Sequence, residues 1–181
     1  MAIIKTKPLS EFPTDQIESQ SYQTIGDIYT RAQDLGITTN PFDIESLLKR
    51  LQFTVCREEM DVDISGYIEN RSGKWFIGLN QYQNPKRQRF TMAHEFAHFL
   101  FDAEQIGQTK RTDTILFRAN DRDAVEVRAN DFAGKLLIPK NQLDAYIADG
   151  IKSIQDLADK FNVTPAALKY RAFRLGYVKS Y

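Results

Sequence analysis

Apolar side chains fall at helical spacing in "YQTIGDIYTRAQDLGI", where Ile25, Ile28, Tyr29, Ala32 and Leu35 share a face and Gly36 ends the run. "TTNPFDIESLLKRLQF" predicts a second helix, with Asn40 as N-cap and Pro41 as its first residue. The period then shortens. "FTVCRE", "VDISGYIEN" and "KWFIGLN" read as three short strands, the last two a hairpin turned through "RSG". Asn84-Pro85 opens a helix that runs through Asp102. Residues 103–120 predict a loop with at most one short strand, "DTILF", and "DRDAVEVRANDFAGKLL" predicts a helix ending before Pro139. The rest of the chain reads as further short helices, and residues 1–20 lack periodicity and read as an arm.

This order of elements predicts an α+β unit over 21–140, with helices around a small, mainly antiparallel three-stranded sheet. A helical segment over 141–181 is expected to pack on the same unit. The 24 basic and 24 acidic side chains cancel, so no global field draws the chain to nucleic acid or membrane. One cysteine, Cys56, excludes an internal disulfide and fits a reducing compartment. No apolar run nears the roughly 18 residues of a membrane span. "MAIIKTKPLSEF" is too weakly apolar for a secretory leader, so a cytoplasmic chain is expected.

The helix around residue 94 carries the chemistry. Phe90, Met92, Ala93, Phe96, Ala97, Phe99, Leu100 and Phe101 place apolar groups nearly all round it, which predicts burial. One stripe is nonetheless polar: Arg87, Thr91, His94, Glu95, His98 and Asp102. Burying such a stripe is costly unless its members are paired or bind an ion. "HEFAH" contains both histidines of the chain, one helical turn apart, so both imidazoles can reach one metal. Two histidines at this spacing with a glutamate after the first arise by chance in roughly 5 of 10,000 chains of this composition. Glu95, rotated by about 100° from His94, stands beside such a metal, where it can hold a water.

A catalytic zinc site needs three protein ligands and an open position. Asp102 shares the stripe but lies about 12 Å from His94 along the axis. It reads either as a partner that orients the His98 ring or as a solvated helix end, not as a ligand. Glu126, near the start of the following helix, is a better third ligand, with Asp123 and Asn130 as rivals or supporting groups on its face. The apolar side of that helix (Val125, Ala129, Phe132, Ala133, Leu136, Leu137) is suited to packing on the first.

"RQRFTMAHEFAHFLF" followed by "EVRANDFAGKLLIP" resembles the two-part signature of the ImmA/IrrE metallopeptidases, and "KWFIGLN" resembles the strand that precedes it. The resemblance implies a zincin-like fold, with His94, His98 and Glu126 as metal ligands and Glu95 as the catalytic residue. Relatives often carry a histidine where this chain has Asp102. Zinc is the implied metal, and manganese or iron also suits two imidazoles and a carboxylate. The implied partner is a protein substrate such as a helix-turn-helix repressor encoded nearby. The alternative is a metal-containing regulator that binds a repressor or toxin without turnover; an intact Glu95 favours the enzyme.

Tyr67, Tyr82 and Arg118 are open candidates for steadying an oxyanion, and "KWFIGLN" for an exposed edge to which a peptide adds as a strand. "IQDLADKFNVTPAALKYRAFRLG" has a helix-turn-helix layout, with Thr164 capping the second helix. Residues 151–181 hold six basic and two acidic side chains, a local charge of +4. Yet a DNA-reading helix offers polar groups at its first turn, and this one offers Pro165, Ala166 and Ala167. Packing or docking is therefore expected there, rather than direct DNA binding.

Overall fold

The structure, a computed structural model, describes residues 24–106, 110–114 and 124–180; the arm over 1–20, Arg118 and Asp123 lie outside them. The described elements are α1 (Ile25–Asp34), α2 (Ile44–Arg50), β1 (Thr54–Glu58), β2 (Ile64–Arg71), β3 (Lys74–Asn80), α3 (Pro85–Ile106), β4 (Lys110–Thr114), α4 (Ala124–Leu137), α5 (Lys140–Ala148), α6 (Ile154–Lys160) and α7 (Pro165–Arg174). This is the α+β class expected from the sequence.

Local chemistry sets most boundaries. Thr24 and Asp27 form a reciprocal capping box at the start of α1. The second helix begins later than Asn40 and Pro41 suggested. Its N-cap is Asp43, whose carboxylate accepts from the Ser46 N–H at 3.0 Å, while Thr39 and Phe42 close a turn around the Asn-Pro pair. Asn84 Oδ1 accepts from the Lys86 N–H at 2.8 Å where α3 starts. Thr164 caps α7 through the Ala167 N–H, as its position in the sequence suggests.

Among the described residues the sheet has four strands in the order β1-β3-β2-β4. The β2–β3 hairpin pairs Arg71 with Lys74, leaving Ser72 and Gly73 as a two-residue turn in which both have positive φ. Such turns match the natural twist of a hairpin, and Gly73 meets the demand without a Cβ. β2 also pairs antiparallel with β4, while β1 pairs parallel with β3. The strand "KWFIGLN" is therefore central, hydrogen-bonded on both sides, and not the open edge its hairpin position suggested. The edges are β1 and β4.

One cluster of buried side chains joins Ile28 of α1, Ile68 and Ile77 of the sheet, Phe96 and Phe99 of α3, Leu136 of α4, and Leu157 and Leu168 of α6 and α7. Phe53, Phe96 and Phe99 meet at ring-centroid distances of 5.0 to 6.0 Å. Burial of each such ring contributes roughly 1.5–3 kcal/mol. The close seat of α3 on the sheet depends on Gly66 in β2. A Cβ there would meet the Thr91 methyl and the Gly78 carbonyl oxygen at 2.6 Å each, so a side chain would push the helix away.

Candidate metal centre

The polar stripe of α3 is buried within this core. Thr91, His94 and Glu95 are fully buried, and His98 and Asp102 are 1% and 2% exposed. The hairpin and the residues just before the helix fix its register. Gln88 donates to the Asn80 carbonyl at 2.8 Å and accepts from Arg57 Nε at 3.1 Å, and Arg57 pairs with Glu45 at 2.8 Å. Asn80 in turn donates to the Asp61 and Ile64 carbonyls and accepts from the Tyr82 N–H.

α4 packs along α3 through Phe132, whose ring meets Phe96 at 6.3 Å and Phe101 at 5.5 Å. That packing brings Glu126 over the two histidines. Glu126 Oε2 lies 3.1 Å from His94 Nε2 and 3.5 Å from His98 Nε2, and the two Nε2 atoms are 2.9 Å apart. The other ring nitrogens are also engaged. His94 Nδ1 meets Asn130 Oδ1 and His98 Nδ1 meets Asp102 Oδ2, each at 3.1 Å. Both oxygens can accept from a protonated Nδ1, an arrangement that leaves both Nε2 atoms facing Glu126.

Two ring nitrogens and a carboxylate oxygen thus converge on one point. Two imidazole nitrogens and a carboxylate oxygen are donor types that suit a divalent metal. Ligand atoms of His94, His98 and Glu126 all fall within 4.8 Å of one another. The residues present fit a metal of the zinc type.

The sequence candidates among the described residues each have a definite place. Asp102, open at first between a solvated helix end and a partner of His98, is buried and bonded to that imidazole. Asn130 holds His94 rather than facing the centre with its own ligand atom. Glu95 is fully buried on the position after His94. Tyr67 donates to Glu58 Oε1 at 2.9 Å. Its register partner Gly78 points to the same sheet face, opposite the one on which Gly66 meets Thr91, so its hydroxyl is turned away from α3. Burial and the bond to Glu58 push the Tyr67 phenol far above its ordinary range, which suits a structural donor rather than a proton source. Tyr82 is 68% exposed.

Arg128 escaped sequence reasoning. It sits about 200° from Glu126 on an ideal helix, off the inward face, yet its long side chain reaches Asp102 Oδ1 at 2.5 Å. α7 is tied back to α4 and the residue that follows it by two of the cations in the local charge count. Arg171 is 7% exposed and donates to the Ile138 carbonyl at 3.1 Å, and Arg174 pairs with Asp131 at 2.5 Å. Burial lowers the Arg171 pKa without removing the charge, so the nearby Asp131 carboxylate matters to it.

Comparison with curated proteins returns no match. Among protein families, the IrrE N-terminal-like domain of the M78 peptidases matches residues 48–173, which include the sheet, α3, α4 and the helices as far as α7. The paired imidazoles on α3 and the carboxylate brought to them by α4 lie within that match, and the chain belongs to the ImmA/IrrE family of M78 metallopeptidases.

Proposed function

We propose that the chain is a zinc-dependent endopeptidase acting on a specific protein, with a helix-turn-helix transcriptional repressor encoded nearby as the substrate the family resemblance implies. The observation that carries this reading is the meeting of His94 Nε2, His98 Nε2 and Glu126 Oε2 beside a fully buried Glu95. In this reading His94, His98 and Glu126 hold the metal. When bound, zinc supplies a Lewis acid and brings the pKa of its water towards about 7.

The chain's own residues do the rest. Glu95 takes the proton of the attacking water on a carboxylate oxygen and hands it to the departing amine nitrogen. Burial of Glu95 strengthens its electrostatic hold on that proton, because little solvent screens it. Asn130 and Asp102 keep the imidazole protons on Nδ1, so that both Nε2 atoms stay available. Glu126 is 24% exposed, which makes its side the way in for a peptide. A peptide can add as a strand only at an open sheet edge, and β4 flanks β2, the strand on which α3 rests.

The C-terminal pair is read as part of the peptidase body rather than as a DNA reader, because Arg171 and Arg174 are committed to α4. No described helix is long and apolar enough to cross a membrane. Purified zinc-loaded protein should cut the co-encoded repressor at a defined bond, and Glu95→Gln should bind zinc equally well without cutting. If wild type and Glu95→Gln act identically in cells and no fragment forms, the enzyme reading fails and partner binding without turnover replaces it.

A further inference from the structure

The Asp102 carboxylate is 2% exposed and spends one oxygen on each of two neighbours: Oδ2 on His98 Nδ1 and Oδ1 on Arg128 Nη2. A buried carboxylate facing only a neutral imidazole would be poorly compensated. Arg128 supplies the full opposite charge, and it is itself located by a second contact, its guanidinium standing 4.7 Å from the centroid of the Phe101 ring. The chain of contacts therefore runs Phe101, Arg128, Asp102, His98, and ends at the nitrogen that turns its partner Nε2 towards Glu126.

We propose that Arg128 is a positioning residue for the metal centre, acting through Asp102 to hold the orientation and tautomer of His98. The inference rests on the reading of His94, His98 and Glu126 as metal ligands, and adds a residue that touches none of them. Two alternatives carry less. An ordinary surface ion pair would end on a solvated carboxylate, whereas Asp102 is buried and its other oxygen is bonded to His98. A substrate contact through the exposed part of Arg128 would not need the bond to Asp102. With Arg128 in place, α4 supports both histidines: Asn130 on one, Arg128 by way of Asp102 on the other.

The test is a double-substitution cycle read as zinc affinity, by competition with a chromophoric chelator. Groups supporting a metal-bound imidazole are typically worth 10–100-fold in metal affinity, so Arg128→Ala should weaken zinc binding by about tenfold. Arg128→Lys, which restores charge without the planar fork, should recover part of that loss. In the Asp102→Ala background, Arg128→Ala should have no further effect, because the path it acts through is gone. The Arg128 side chain is 47% exposed, so its truncation leaves the core intact. Unchanged zinc affinity in Arg128→Ala, or an equal loss with and without Asp102, overturns the inference. His98→Ala and Glu126→Ala provide the separate check: if they retain stoichiometric zinc, it is the metal reading that falls.

Discussion

Two helix seams in this molecule bury polar groups, and they do so in opposite ways. Between α4 and α7, Arg171 donates to a backbone carbonyl and Arg174 meets Asp131, so each donor or charge finds a complementary group. Between α3 and α4, the outer members are complementary too, through Asn130, Asp102 and Arg128, but the innermost atoms, two ring nitrogens and a carboxylate oxygen, form a set able to hold a metal ion. The first seam closes on itself and is architecture. The second gathers ligand atoms at its centre. Buried polarity alone does not mark a functional site; metal-ligand atoms converging in the middle of a matched network do.

Removing a ligand should break the contrast most severely. His94→Ala or His98→Ala should abolish stoichiometric zinc binding, as elemental analysis of the purified protein would show. Glu95→Gln comes next: with the metal retained, cleavage should fall by roughly 10²–10⁴-fold, the usual share of a general base. Cleavage persisting at the wild-type rate would remove Glu95 from its assigned role. Chelation of the wild type should lower the thermal midpoint, and added zinc should restore it, since a ligand that binds only the native state stabilises it.

The closed seam offers the control. Arg171→Ala leaves the Ile138 carbonyl without its donor and should cost about 1–3 kcal/mol in denaturant unfolding, with zinc affinity unchanged. A parallel loss of zinc would mean that the two seams are not separable. Gly66→Ala should destabilise by about 1–3 kcal/mol through overpacking at Thr91, and because Thr91 lies on the metal helix, it should also loosen zinc.

The smallest effect concerns Cys56, whose thiol is pushed up by burial and by the adjacent Glu58 carboxylate. A raised folded-state pKa means that the thiol's favourable contribution is complete below its unfolded pKa and is lost as pH rises through the folded value. Alkylation by iodoacetamide at mildly alkaline pH should therefore be slower in native than in unfolded protein. Equal rates would contradict the assignment.

Helical spacing, caps and turn residues make most elements legible from neighbouring positions alone: the α1 face, the hairpin at Ser72-Gly73, and Thr164 at the head of α7. The two histidines are legible for the same reason, because their relation is local and one turn of helix sets it. Local rules mislead where two signals compete. Pro41 suggests a helix start, but Asp43 offers the better capping carboxylate two residues later. Strand pairing is harder still. Nothing within "KWFIGLN" says that β1 returns parallel beside it, because pairing partners are chosen by the packing of distant segments.

Sequence alone determined that a pair of imidazoles able to share one metal stands on a helix too apolar to be left in solvent, since both facts follow from residue identity at a fixed period. Only the tertiary structure decided what completes the pair. Glu126 reaches the histidines from 28 and 32 positions away, Asp102 is buried against His98, and Arg128 comes round from the far side of its own helix. Those relations depend on how two helices cross and how far a side chain extends, and no period in the chain encodes either.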